Sequence, residues 1–99
     1  VMPSFRGGDL MTFRNWVMER LRYPTIAQEN GISGRVVAQF VIERDGSLSN
    51  IQILQSPDRS LSDEAVRVLQ NSPKWEPGRQ RDVPCRVKYI LPVEFKIQD

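Results

Sequence analysis

Residues 83–97, VPCRVKYILPVEFKI, decide the fold of this 99-residue chain. Apolar side chains occupy the odd-numbered positions of the stretch, namely Val83, Cys85, Val87, Tyr89, Leu91, Val93, Phe95 and Ile97. An alternation with period two is typical of a β-strand that buries one face. The stretch also contains Pro84 and Pro92, and proline cannot donate to the hydrogen-bond ladder of a central strand. The pattern therefore predicts one long strand at an edge of a sheet.

The positions of the two prolines predict which side of this strand is open. The N–H and C=O of one residue point to the same side of a strand, and successive residues alternate between the two sides. Pro84 and Pro92 are both even-numbered, so the odd-numbered residues keep every donor for pairing with the sheet. The even-numbered edge would then offer a slot for a guest strand, formed by Arg86, Lys88 and Ile90. The alternative is that the prolines only protect an exposed edge against aggregation.

Composition excludes several classes of protein. We expect a single domain over residues 1–99, in which residues 1–8 form an irregular lead-in. The 14 basic and 12 acidic residues are interspersed and give a net charge of only +2, too weak to argue for nucleic-acid binding. Histidine is absent and cysteine occurs once, which excludes Ser–His and Cys–His catalytic pairs and Cys/His zinc clusters. The sequence therefore predicts neither an enzyme nor a bound cofactor or metal. Because the chain begins with Val1, we interpret it as a domain excised from a longer protein.

The remaining elements predict the topology of the sheet. A helix is expected after the N-cap residue Asp9, followed by a short helix near residues 24–30. Two strands flank Asp45-Gly46, which predicts a hairpin with a two-residue loop in which Ala38 opposes Ile53. A third helix precedes the long strand, so the second and third strands should run parallel with the first between them. The expected fold is α+β: a three-stranded antiparallel or mixed sheet of order 2-1-3, with helices packed on one face and a long edge strand at the C-terminus.

Taken together, these residues resemble the C-terminal domain family of TonB, the periplasmic energy-coupling protein of Gram-negative bacteria. The resemblance runs over nearly the whole chain and is carried by the order and spacing of several motifs. They comprise Tyr23-Pro24, Gly34 leading to Phe40, Asp45-Gly46 in the hairpin, and Trp75-x-Pro77-Gly78 before the last strand. Arg6 and Arg81 stand where proline and glycine, respectively, are usual, and both positions lie in expected loops.

The resemblance implies a binding function. Such a domain pairs the TonB box, a short peptide of an outer-membrane transporter, alongside its last strand. The binding residues would be Arg86, Val87, Lys88, Tyr89 and Ile90. Arg79 and Arg81 would add electrostatic steering of acidic peptide flanks. The resemblance further implies a periplasmic location, an anchor in the inner membrane through a missing N-terminal segment, and coupling through that segment to the ExbB–ExbD motor.

Three alternatives stay open at the level of the sequence. The domain could belong to another membrane-anchored protein, such as a signalling or TolA-like protein. Two copies could pair through their free edge strands as a homodimer. A nucleic-acid-binding module is disfavoured, because the outward positions expected on the sheet hold Val37, Gln39 and Val41 rather than aromatic side chains.

Overall fold

This computed structural model describes residues 1–97 of the chain. Within them lie three helices and five strands. Their order is α1 (Leu10–Arg20), α2 (Thr25–Glu29), β1 (Gly34–Ile42), β2 (Leu48–Gln55), α3 (Arg59–Gln70), β3 (Gly78–Gln80), β4 (Val83–Cys85) and β5 (Val87–Phe95). As expected, Asp9 caps α1, because its side chain accepts hydrogen bonds from the N–H groups of Met11 and Thr12.

The main sheet has the predicted topology. Its strand order is β2-β1-β5, and β1 is antiparallel to both neighbours. Strand β5 pairs with β1 without interruption from Gly34↔Phe95 to Ile42↔Val87. The predicted α+β fold with the C-terminal strand at the sheet edge is therefore confirmed.

The prediction of one continuous strand over residues 83–97 is wrong, because this stretch forms two strands, β4 and β5. They are separated at Arg86, and β4 pairs with β3 in a second, two-stranded sheet. A two-residue turn joins β3 to β4, with Arg81 and Asp82 at φ 53° and 63°, the left-handed geometry that hairpin turns of this length favour. Val83, expected on the buried face, is 61% exposed because this small hairpin extends beyond the core.

The hairpin between β1 and β2 has a longer loop than the predicted two residues. The Glu43 N–H donates to the Ser47 carbonyl at 2.8 Å, and the Gly46 N–H donates to the Glu43 carbonyl at 2.9 Å. The loop therefore comprises residues 44–46, a type of three-residue connection that ends in a left-handed glycine. Gly46 takes that position with φ 87°.

One extra residue in β2 restores the predicted register. Asn50 has φ 50°, and the pairing shifts by one residue between Val41↔Ser49 and Gln39↔Gln52. Such a bulge absorbs one residue of β2, and it compensates for the longer loop. Ala38 consequently faces Ile53, as the apolar pattern predicted.

The core lies on one face of the main sheet, beneath the helices. Its centre is an aromatic cluster formed by Phe5, Phe13, Trp16, Phe40 and Trp75. Phe5 is completely buried, with its ring centroid 4.9 Å from that of Phe13 and 5.5 Å from that of Trp75. Backbone hydrogen bonds in both directions between Ser4 and Glu76 hold this segment in place. The lead-in therefore supplies part of the core.

Candidate functional site

The outer edge of β5 is open to a partner strand; it is one of the two edges of the main sheet, the other being that of β2. Pro92 lies opposite Val37 in β1, and Pro84 lies opposite Arg79 in β3. A hydrogen-bonded antiparallel pair exchanges two N–H···O bonds, which proline cannot do because it has no N–H. The ladder bonds of β4 and β5 therefore belong to the odd-numbered residues. The even-numbered residues direct their backbone groups to the opposite edge.

A side chain of α1 supports this assignment independently. The Arg14 Nε–H donates to the Pro92 carbonyl oxygen at 3.3 Å. A carbonyl that Arg14 reaches from a helix points away from β1, as the even-numbered parity requires. Lys88 and Ile90 have the same parity, so their N–H and C=O groups lie on the same edge.

Four of the five predicted binding residues alternate in exposure along β5. Lys88 and Ile90 are exposed, and Ile90 leaves 52% of its surface in solvent. Val87 and Tyr89 are half-buried on the core side. The Tyr89 ring lies 5.7 Å from that of Trp75, and burial raises the pKa of the phenol. The odd-numbered residues thus attach the strand to the core, and the even-numbered ones face outward.

The fifth residue, Arg86, is engaged within the chain. Its guanidinium donates from Nε to Glu43 Oε1 at 2.7 Å and from Nη2 to Glu43 Oε2 at 3.2 Å. This two-point ion pair lowers the pKa of Glu43, with a smaller contribution from the Ser49 hydroxyl. Glu43 therefore compensates the charge of Arg86 beside the open edge.

Arg79 and Arg81, the two arginines expected to steer the peptide, both lie on the small hairpin of β3 and β4 but have different surroundings. Arg79 donates from Nη1 to the Asp82 carbonyl at 3.2 Å within the small hairpin. Arg81 lines a shallow cleft together with Arg44, beside Val83, Pro84 and Cys85. Within residues 1–97, neither Arg44 nor Arg81 forms an ion pair. Arg44 belongs to the three-residue loop between β1 and β2, and no sequence pattern marked it as part of this cleft.

The motif residues position the edge rather than line it. The Tyr23 hydroxyl donates to the Ile32 carbonyl, and its ring packs edge-on against Phe95 at 5.6 Å. The backbone N–H of Trp75 donates to the Gly46 carbonyl at 2.8 Å. A Cβ on Gly46 would lie 1.9 Å from the Trp75 carbonyl oxygen, so only glycine permits this approach. Gly34, Phe40, Pro77 and Gly78 likewise lie in or next to the strands that support β4 and β5.

The ion pair at the edge predicts a pH-dependent contribution to stability. A carboxylate whose pKa is lower in the folded state stabilises the fold when ionised. The contribution of Glu43 is therefore present above its ordinary pKa of 4.5 and is lost as the pH falls through the lower folded-state value. We expect Glu43→Gln to lower the thermal unfolding midpoint at neutral pH and to have little effect in acid. Circular dichroism melts of both proteins across this range measure the difference, and a difference independent of pH would contradict the assignment.

Among residues 1–97, no group of three or more acidic, histidine or cysteine side chains is arranged to hold a metal ion. None of the helices in this range is long and apolar enough to cross a membrane.

Comparison with known proteins gives a consistent result. Residues 19–97 match the family described as Gram-negative bacterial TonB protein C-terminal. Protein TonB of Pseudomonas aeruginosa is 40% identical to the chain over 74 residues, which are 75% of this chain and 21% of that protein. Protein TonB of Helicobacter pylori strain J99 is 34% identical over 98 residues, which are 98% of this chain and 34% of that protein. The chain thus spans between about a fifth and about a third of the length of these relatives.

Solved structures share the fold. The solution structure of the Pseudomonas aeruginosa TonB C-terminal domain superposes with a TM-score of 0.67 and 31% identity, over 83% of each chain. A solution structure of the Helicobacter pylori TonB C-terminal domain also gives a TM-score of 0.67, over 91% of this chain and 95% of that one. The identity to the second is 24%, so it shows the common fold alone.

Proposed function

Because the chain belongs to the Gram-negative TonB protein C-terminal family, we propose that it is the periplasmic domain of an energy transducer and binds the TonB box of an outer-membrane transporter by β-strand addition. The observation that carries the proposal is the free edge of β5, where Lys88 and Ile90 keep their backbone groups unpaired by the sheet. The family is one of energy transducers, in agreement with the prediction that this chain is not an enzyme.

Strand addition explains how one surface can serve different peptides. A guest strand beside β5 would exchange main-chain hydrogen bonds with Lys88 and Ile90, each contributing about 0.5–1.5 kcal/mol irrespective of the guest side chains. These bonds lie across the strand direction, so a pull along the strand loads them together in shear. That geometry is suited to transmitting force to a transporter.

Charge beside the edge would assist the encounter of the two partners. Lys88 is exposed next to the proposed guest strand, and the small hairpin carries Arg79 and Arg81. We propose that Arg81, together with Arg44 in the adjoining cleft, steers acidic flanks of the peptide. Arg79 contributes positive charge to the same hairpin. Arg86 contributes less, since Glu43 compensates its charge.

The proposal extends to the longer protein of which this domain would be a part. The matched region makes up only 21% of one relative and 34% of the other. We propose that a segment N-terminal to this domain anchors the protein in the inner membrane and couples it to the ExbB–ExbD motor.

Heteronuclear NMR titration of the 99-residue chain with TonB-box peptides tests the binding mode. We expect the largest amide shifts at residues 86–90 and protection of the Lys88 and Ile90 amides from exchange with solvent. A matched control peptide with proline at its centre should bind far more weakly, because it cannot complete the ladder. Shifts confined to α2 or α3, or equal binding of the control peptide, would contradict strand addition at β5.

The same free edge supports a second proposal, self-association. Two β5 edges can pair with each other, and the exposed Ile90 lies beside the pairing line. Sedimentation equilibrium over a range of concentrations, with and without peptide, separates the two. A dimer that the peptide dissociates would show that both partners use the β5 edge, whereas a monomer throughout would exclude self-association.

A further inference from the structure

The open edge of β5 is chemically incomplete at Pro92. Lys88 and Ile90 each offer a donor and an acceptor, whereas Pro92 offers only its carbonyl oxygen. A guest strand that extends past Ile90 therefore brings a carbonyl group to a position where β5 has no N–H to meet it. An unsatisfied carbonyl weakens the pairing at this end of the slot.

Arg14 occupies this position from the neighbouring helix. Its Nε–H bonds the Pro92 carbonyl oxygen at 3.3 Å. The helix that carries Arg14 is fixed against the core, because Phe13 and Val17 on the same helix are buried. A guanidinium has five N–H donors in a planar fork. Of the five N–H groups of Arg14, only the Nε–H has an acceptor within residues 1–97. No carboxylate in this range lies within ion-pair distance of the guanidinium.

We propose that Arg14 is a specificity-determining residue of this edge, which supplies the donors that Pro92 lacks and selects a guest strand with a carboxylate at that end. The inference rests on the proposed function, since it concerns the guest of the same edge. A carboxylate is the group expected because it accepts two parallel bonds from the fork and neutralises its charge. Residue 14 lies in α1, N-terminal to residues 19–97, the span matched by the family.

A double-mutant cycle between protein and peptide tests the proposal. The probe is the TonB-box peptide that binds best in the NMR titration, synthesised with aspartate or asparagine at each end in turn. At one end only, aspartate should improve the affinity of the unaltered chain by roughly tenfold over asparagine, the size of one charge-assisted hydrogen bond. Arg14→Gln should abolish this difference. Arg59→Gln is the matched control, because Arg59 is an exposed arginine on α3 and should leave the difference unchanged.

Charge reversal provides the rescue. Arg14→Glu should favour a peptide with lysine at the same end over one with aspartate, which a merely structural role of Arg14 would not produce. A difference between aspartate and asparagine that persists in Arg14→Gln, while peptides still bind, overturns the role of Arg14 and leaves strand addition standing. No binding of any peptide to the unaltered chain overturns both proposals.

Discussion

Lys88→Pro is expected to leave the domain folded and to weaken binding of the guest peptide by about a hundredfold or more. The N–H of residue 88 points away from β1, so the substitution costs the main sheet no hydrogen bond. The guest strand loses its central donor, and the proline ring obstructs the approach of its backbone. Peptide affinity by isothermal calorimetry and stability by urea unfolding measure the two effects separately.

Alanine and the neighbouring position supply the controls. Lys88→Ala keeps the backbone N–H and should bind with an affinity close to that of the unaltered chain. Tyr89→Pro should be less stable than Tyr89→Ala by about 2 kcal/mol, because the N–H of residue 89 bonds β1. If Lys88→Pro destabilised the fold as much as Tyr89→Pro, the odd-numbered parity of the ladder would be wrong.

Phe5→Ala is expected to lower the free energy of unfolding by about 3–5 kcal/mol. The Phe5 side chain is completely buried against Phe13, Trp16 and Trp75, so truncation leaves a cavity that the surrounding rings fill only in part. A domain of this size has a total stability of about 5–15 kcal/mol. The loss therefore removes a large share of it.

A second residue of the lead-in separates this effect from a general effect of the segment. Met2 is 64% exposed, and Met2→Ala should change the stability by less than about 0.5 kcal/mol. Urea unfolding of the three proteins at one temperature measures the series. A small effect of Phe5→Ala would mean that residues 1–8 do not form part of the cooperative core.

Local patterns in the sequence were sufficient to predict the main sheet. The alternation in residues 87–95, the turn signal at Asp45-Gly46 and the cap at Asp9 each act over a few residues. Pro84 and Pro92 identified the edge strand because proline has the same backbone chemistry in every context. The burial of Phe5 lacked such a signal, since the segment around it has no period.

The features that were missed depend on backbone geometry or on distant contacts. The turn between β3 and β4 uses Arg81 and Asp82 at positive φ without a glycine, so no turn motif marks it. The bond from Arg14 to Pro92 joins residues 78 positions apart, and the ion pair of Arg86 with Glu43 spans 43 positions. Contacts between residues so far apart in the chain leave no periodic pattern in a single sequence, so they could not be predicted from it.

The pairing of β1 also determines when the domain can fold during its synthesis. One neighbour of β1 follows directly in the chain, whereas the other, β5, ends at Phe95. Until β5 has emerged, the β1–β2 hairpin lacks a partner and the core lacks Leu91, Val93 and Phe95. A two-stranded hairpin is at best marginally stable in water. The domain should therefore stay unfolded until synthesis has passed Phe95, and an unfolded polypeptide is the state that can be threaded through a narrow translocation channel.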